Sequence, residues 1–158
     1  MTRTLIALAL LASSLSPALA GIGSSSIPAP FTQHVYDVPG VISNDSFSAY
    51  FSCSNSGNQS VTVGVEVFDQ TGGASINTAA ETAIRLAPGA TAIFGTTSSA
   101  SFIVDGILGT GTVINCSARI LATSKKLICG AFLADPGSVR PISTLSLAIV
   151  AKGQKTSN

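Results

Sequence analysis

The stretch Ser46–Gly73 reads SFSAYFSCSNSGNQSVTVGVEVFDQTGG, and it decides the fold class. Its first half alternates apolar with small or polar side chains up to Ser54, and its second half alternates valines from Val61 to Val67. A period of two is that of a β-strand with one buried face. The apolar face of the first strand would carry Phe47, Ala49, Phe51 and Cys53. Because Asn55–Asn58 between the runs has turn composition, we predict that they form an antiparallel hairpin.

The same period continues along the rest of the chain. Short apolar runs are interrupted by turn-forming residues such as Pro88–Gly89 and Asp135–Pro136–Gly137. Further strands are predicted at 84–86, 91–96, 113–122, 127–134 and 143–151, and the strand 113–122 would bury Ile114, Cys116, Ala118 and Ile120. A turn at 123–126 would join the strands on either side of it into a second hairpin. The spacing predicts an all-β chain of about seven or eight strands, arranged as an antiparallel β-sandwich over residues 31–151.

The N-terminus has the pattern of a secretory signal peptide over residues 1–20. Arg3 precedes an apolar run from Leu5 to Ala12, and Ala18–Leu19–Ala20 is the small-x-small pattern of a cleavage site. The run is too short to span a membrane. Residues 21–30 have the composition of a flexible linker, and the polar residues 152–158 are predicted to be a disordered tail. We therefore expect a secreted or periplasmic protein without a membrane span.

The chain is poor in charge: 9% of its 158 residues are charged, and the formal net charge is +1. One of the eight Lys and Arg residues, Arg3, lies in the predicted signal peptide, so seven basic residues remain against seven acidic ones. Nucleic-acid binding needs clustered Lys and Arg, so this balance argues against a nucleic-acid partner. A surface with little charge repels its neighbours weakly and suits a protein that packs against others.

Three segments resemble small secreted bacterial domains of immunoglobulin or fibronectin-III-like type: FSCSNSGNQSVTVGVEVFDQTGG, LAPGATAIFGT and SARILATSKKLICGAFLAD. The resemblance covers about Ser46 to Ala151 and implies an adhesive, structural or accessory binding role. It also implies an immunoglobulin-like antiparallel β-sandwich with one bridge between its two sheets. With the strand that carries His34 counted as the first, this bridge joins Cys53 on the second strand to Cys129 on the penultimate strand and leaves Cys116 spare. A Cys53–Cys116 bridge, or no bridge, stays open as an alternative.

Few residues are candidates for chemistry. His34, the only histidine, has no cysteine or carboxylate cluster for a metal, and strand parity places His34 and Asp37 on opposite faces, against a hydrolase triad. Tyr50 and Tyr36 are the aromatic side chains most suited to contact a sugar. Glu66 and Arg119 would pair on the outer face of one sheet. No cofactor is expected.

These observations favour an exported, non-catalytic β-sandwich that acts as a structural, adhesive or protein-interaction module. Its partner would be another extracytoplasmic protein or the chain itself, with free edge strands as contact surfaces. A carbohydrate-binding accessory module is the alternative, with a glycan as the ligand. A hydrolase is the least supported.

Overall fold

The computed structural model describes residues 26–139 and 144–152. Every regular element in those ranges is a β-strand, which confirms the all-β class. The predicted signal peptide, residues 21–25 of the predicted linker and residues 153–158 of the predicted tail lie outside the described residues.

The described residues form ten strands, and four of them are only two or three residues long. They are β1 (Gln33–Ser43), β2 (Ser48–Asn55), β3 (Val61–Phe68), β4 (Ile84–Leu86), β5 (Thr91–Gly95), β6 (Gly106–Ile107), β7 (Val113–Ala122), β8 (Leu127–Ala134), β9 (Leu145–Leu147) and β10 (Val150–Ala151).

The strands pair in two groups. The first has the order β4-β3-β7-β1-β10 and the second has the order β6-β5-β2-β8-β9. A bridge between Ser43 and Ser48 joins β1 to β2 and makes one mixed sheet, in which β6 runs parallel to β5. Because β9 lies on the edge of β8 and β10 on the edge of β1, the sheet nearly closes on itself.

One continuous hydrophobic core receives side chains from both groups. The alternating valines of β3 are all buried, and they pack in the same cluster as Phe51 of β2 and Phe94 of β5. Fully burying a side chain of this size stabilises a fold by about 1.5–3 kcal/mol. The burial of Phe51, Val63 and Val65 confirms the period-two interpretation of these strands.

Both predicted hairpins are wrong. β2 pairs with β5 and β8, whereas β3 pairs with β4 and β7. β7 and β8 likewise lie in different groups, so the 123–126 turn connects the two groups instead of closing a hairpin. The physical reason is that alternation specifies which face of a strand is buried and carries little information about which strand lies beside it.

Two side chains predicted to point inward are exposed instead, Phe47 by 48% and Ile114 by 59%. Phe47 precedes β2, in a turn where Asn44 Oδ1 accepts a hydrogen bond from the Phe47 backbone N–H. Ile114 lies at a β-bulge, since three steps of β7 oppose two steps of β1 there. Asn115 in this bulge has a φ of 56°, in the left-handed region. A bulge changes the direction of the side chain next to it, which explains why parity fails at Ile114.

Candidate functional site

The two tyrosines predicted to contact a sugar differ in exposure. Tyr50 is fully buried, its hydroxyl donates a hydrogen bond to the Ser98 carbonyl, and its ring packs against Phe102 and Phe132. Tyr36 is half-buried, and its hydroxyl donates to the Leu127 carbonyl on β8 at 2.7 Å. Tyr50 is therefore closed to a glycan, Tyr36 keeps part of its surface, and glycan binding stays a prediction.

Cys53 and Cys129 are at disulfide distance, with sulfur atoms 2.17 Å apart. They lie directly opposite each other on the neighbouring strands β2 and β8, so the bridge joins two strands of one group. The bridge between facing sheets that the immunoglobulin resemblance implies is therefore not what this pair forms.

Cys116 is the spare thiol, and burial is the main reason that its pKa is raised. A raised pKa keeps this thiol protonated and unreactive near neutral pH.

Glu66 and Arg119 form the predicted ion pair. They are opposite residues of β3 and β7, and Arg119 donates to Glu66 Oε2 from Nε at 2.7 Å and from Nη2 at 2.6 Å. The pair is buried, because Arg119 also lies over the Phe68 ring and donates to the Ser26 carbonyl, which covers it from the N-terminal side. The predicted pairing is confirmed, and its burial is a feature that the sequence analysis did not predict.

His34 and Asp37 face the same side of β1, which corrects the parity argument. His34 is opposite Leu121 but Tyr36 is opposite Ile120, so β1 has an extra residue between them. This bulge rotates Asp37 onto the face of His34, and the His34 Nε2 lies 2.8 Å from Asp37 Oδ1. Burial lowers the His34 pKa and outweighs the opposite effect of Asp37, while Lys152 lowers it further.

The His34 side chain is hydrogen-bonded to Asp37. Within residues 26–139 and 144–152, no group of three or more His, Cys, Asp or Glu side chains could hold a metal ion. The hydrogen bond between His34 and Asp37 therefore joins two side chains of β1 to each other.

Two strand edges proposed as contact surfaces are occupied by side chains. On β3, Asn77 Oδ1 accepts from the Val67 N–H, and Asn77 Nδ2 donates to the Val65 carbonyl. On β5, Asp105 Oδ2 accepts from the Ile93 N–H. Addition of a foreign strand needs these backbone groups to be free. The structure thus disfavours these two edges for strand addition.

Two clefts lined by described residues lie together at one end of the fold, and they share Thr112. The first, of about 470 Å³, is lined by Ser43, Asn44, Asp45, Ser48, Thr96, Thr97, Gly111, Thr112, Pro136 and Gly137. The second, of about 480 Å³, is lined by Asp69, Gln70, Thr71, Ile76, Thr110, Thr112, Val113, Ile114 and Cys116. Clefts of this size accommodate one or two side chains of a partner.

Ile114 and Ile76 make the second cleft partly apolar. Ile114 is 59% exposed and Ile76 is 40% exposed, and both line this cleft. Single exposed isoleucines are common, and here two of them lie in one cleft and form a small apolar patch. Sequence reasoning missed both, and the only local signal was Asn115 within a strand, because asparagine tolerates the left-handed conformation.

No family model, no curated protein and no solved structure matches this chain. Among the described residues, no helix is long and apolar enough to cross a membrane.

Proposed function

We propose that this protein is exported and acts outside the cytoplasm as a non-catalytic contact module that binds other protein surfaces. The Cys53–Cys129 pair supports an oxidising compartment, because disulfides persist in secreted and periplasmic proteins. The signal-peptide pattern of residues 1–20 agrees with this location. The non-catalytic role is supported by the polar pairs, which the fold holds together in buried or half-buried positions.

The observation that carries the proposal is the outward position of Ile114. Its exposure is fixed by the β-bulge at Asn115, whose positive φ is uncommon outside glycine. Exposing a large apolar side chain is unfavourable in water, so a backbone that enforces it points to a surface that another molecule covers. Ile76 beside it enlarges the apolar area.

Site-specific photo-crosslinking in the producing cell tests this function. A photoreactive residue replaces Ile114 or Ile76, and the matched control replaces Ile103, which is 80% exposed and lines neither cleft. We expect protein adducts from the two cleft positions and few from the control. Equal yields at all three positions, or none at Ile114, would contradict the proposal.

The same preparation tests export. The mass of the protein recovered from the extracytoplasmic fraction is expected to correspond to a chain that begins at Gly21. A protein that is found only inside the cell with Met1 intact contradicts the predicted location.

A further inference from the structure

The exposed charges of the described residues are separated by sign along the strands. Asp45 lies in the turn between β1 and β2, Asp69 follows β3, and Asp135 follows β8. Strand register places the turns of Asp45 and Asp135 at the same end, since Ser43 is opposite both Ser48 and Val113, and Ser48 is opposite Ala134. Asp69 belongs to this end because it lines the same cleft as Thr112 and Val113. We call Asp45, Asp69 and Asp135 the acidic end. It contains both clefts, and no Lys or Arg lines either cleft among the described residues.

The opposite end of the strands is basic. Lys125 and Lys126 form the turn between β7 and β8, and both are exposed. Arg85, also exposed, is opposite Thr62, whose carbonyl accepts a hydrogen bond from the Thr123 N–H at the start of that turn. We call Arg85, Lys125 and Lys126 the basic end.

The two ends are too far apart to neutralise each other within one molecule. The ten residues of β7 separate them, which corresponds to about 33 Å at the usual rise of a strand. Exposed charges separated by more than about 8–10 Å are largely screened at physiological ionic strength. Each end can therefore attract an opposite charge on another molecule independently.

Most other charged side chains of the described residues are held in ion pairs or hydrogen bonds within the fold. Glu66 is paired with Arg119, and Asp37 with His34. Asp105 accepts a hydrogen bond from the Ile93 N–H of β5, whereas Glu81 and Lys152 are exposed and line neither cleft. Arg140, which follows Val139, is outside the described residues.

Apolar side chains accompany the charges at both ends. The acidic end presents Phe47, Ile76 and Ile114, all at least 40% exposed. The basic end presents Ile128, which is 66% exposed and two residues after Lys126, and the exposed Pro88 of the turn between β4 and β5. An apolar centre beside polar groups is the usual composition of a protein contact.

We propose that the occupant of the acidic-end clefts is the Lys125–Lys126 turn of a second copy of this chain. This inference rests on the proposed contact function and names its partner. The contact is head-to-tail: the lysines lie against Asp45 and Asp69, and Ile128 approaches Ile114. Because the two contacting surfaces differ, the contact is heterologous, and repetition produces an open chain or a closed ring of copies. The balanced charge of the predicted mature chain leaves no net repulsion against such growth.

Two variants, each with one of the two charged ends disabled, test the contact in the full mature chain with its disulfide intact. Asp45→Asn with Asp69→Asn disables the acidic end, and Lys125→Gln with Lys126→Gln disables the basic end. Light scattering coupled to size exclusion, at low salt, measures the mass of the assemblies. We expect the wild type to grow with concentration, and we expect association to weaken by at least about tenfold at high salt because exposed charges are screened.

Each variant alone is expected to be monomeric at concentrations where the wild type associates. Their mixture is expected to form one-to-one dimers that grow no further, because only one acidic end and one basic end remain intact per pair. The exposed acid Glu81, which lines neither cleft, provides the matched control, and Glu81→Gln is expected to assemble like the wild type. Unchanged melting temperatures show that the variants are folded.

A wild type that stays monomeric up to about 1 mM at low salt overturns the inference. So do variants that assemble like the wild type, or a mixture of folded variants that forms no dimer. If the wild type is monomeric but Ile114 still crosslinks to a different protein, the self-association is wrong and the contact function stands. If the wild type is monomeric and Ile114 forms no crosslink to any protein, both the self-association and the contact function are wrong.

Discussion

The guanidinium of Arg119 lies 2.6 Å from the Glu66 carboxylate, and the two side chains are only 3% and 5% exposed. This ion pair ties β3 to β7 on the face that the N-terminal segment covers. Removing two charges from water is costly, and the hydrogen bonds to Glu66 and Ser26 offset that cost. The fold therefore depends on both partners being present.

Loss of one partner should be strongly destabilising. We expect Glu66→Ala to lower the free energy of unfolding by about 3–5 kcal/mol, because Arg119 keeps a buried charge without its carboxylate. Urea denaturation measures the change. In the double variant Glu66→Leu with Arg119→Met, the loss should be much smaller, since no unpaired charge remains. A double variant as unstable as the single one would show that packing, not charge, dominates at this position.

Gly64 is required by close packing. A Cβ at this position would lie 2.6 Å from Phe31 Cζ and 2.7 Å from the Ala79 carbonyl oxygen. We expect Gly64→Ala to destabilise the protein by about 1–3 kcal/mol, the usual cost of overpacking. Gly130→Ala is the control, because its Cβ would meet nothing within 4 Å. Thermal denaturation of the two variants compares them directly, and equal melting temperatures would refute the packing argument.

Asn115 holds the bulge that exposes Ile114. Its φ of 56° is accessible to glycine and asparagine but strained for a β-branched residue. Asn115→Gly should stay within about 0.5 kcal/mol of the wild type, whereas Asn115→Val should lose about 1–2 kcal/mol. Chemical denaturation gives both values. If valine were tolerated as well as glycine, the left-handed conformation would not be what fixes Ile114.

The disulfide should contribute a large part of the stability. It closes a loop with a sequence separation of 76, for which the chain-entropy model gives about 4 kcal/mol. We expect Cys53→Ser with Cys129→Ser to lose most of that amount, and Cys116→Ser to lose far less because the bridge remains. Thiol titration of the denatured, non-reduced wild type should find one free thiol, and three would exclude the bridge.

His34 makes stability depend on pH. Burial is the main reason that its pKa in the folded state lies below the ordinary value of about 6.5. The unfolded chain therefore binds the proton first, so the contribution of His34 is present above about pH 6.5 and is lost as the pH falls through the folded-state pKa. We expect the free energy of unfolding to decrease between pH 7.5 and pH 5, and to decrease less in His34→Gln. Identical pH slopes would contradict this origin.

The sequence allowed the class of secondary structure, the core valines and the Glu66–Arg119 pair to be predicted, because period-two patterning determines which residues share a buried face. Strand neighbours could not be predicted, since patterning leaves pairing open, and both expected hairpins failed for that reason. Strand parity also failed at the two bulges. The bulge after His34 places Asp37 on the same face as His34, and the bulge at Asn115 turns Ile114 outward. Irregularities of one residue invert every later inference about faces.

Asn77 and Asp105 occupy backbone hydrogen-bonding groups along one edge of β3 and one edge of β5. An amide and a carboxylate that imitate a neighbouring strand close these two edges to an identical molecule that could otherwise extend the sheet sideways into a cross-β fibril. For a sparingly charged polypeptide exported as we propose, beyond the reach of cytoplasmic chaperones, each edge closed in this way lowers that hazard.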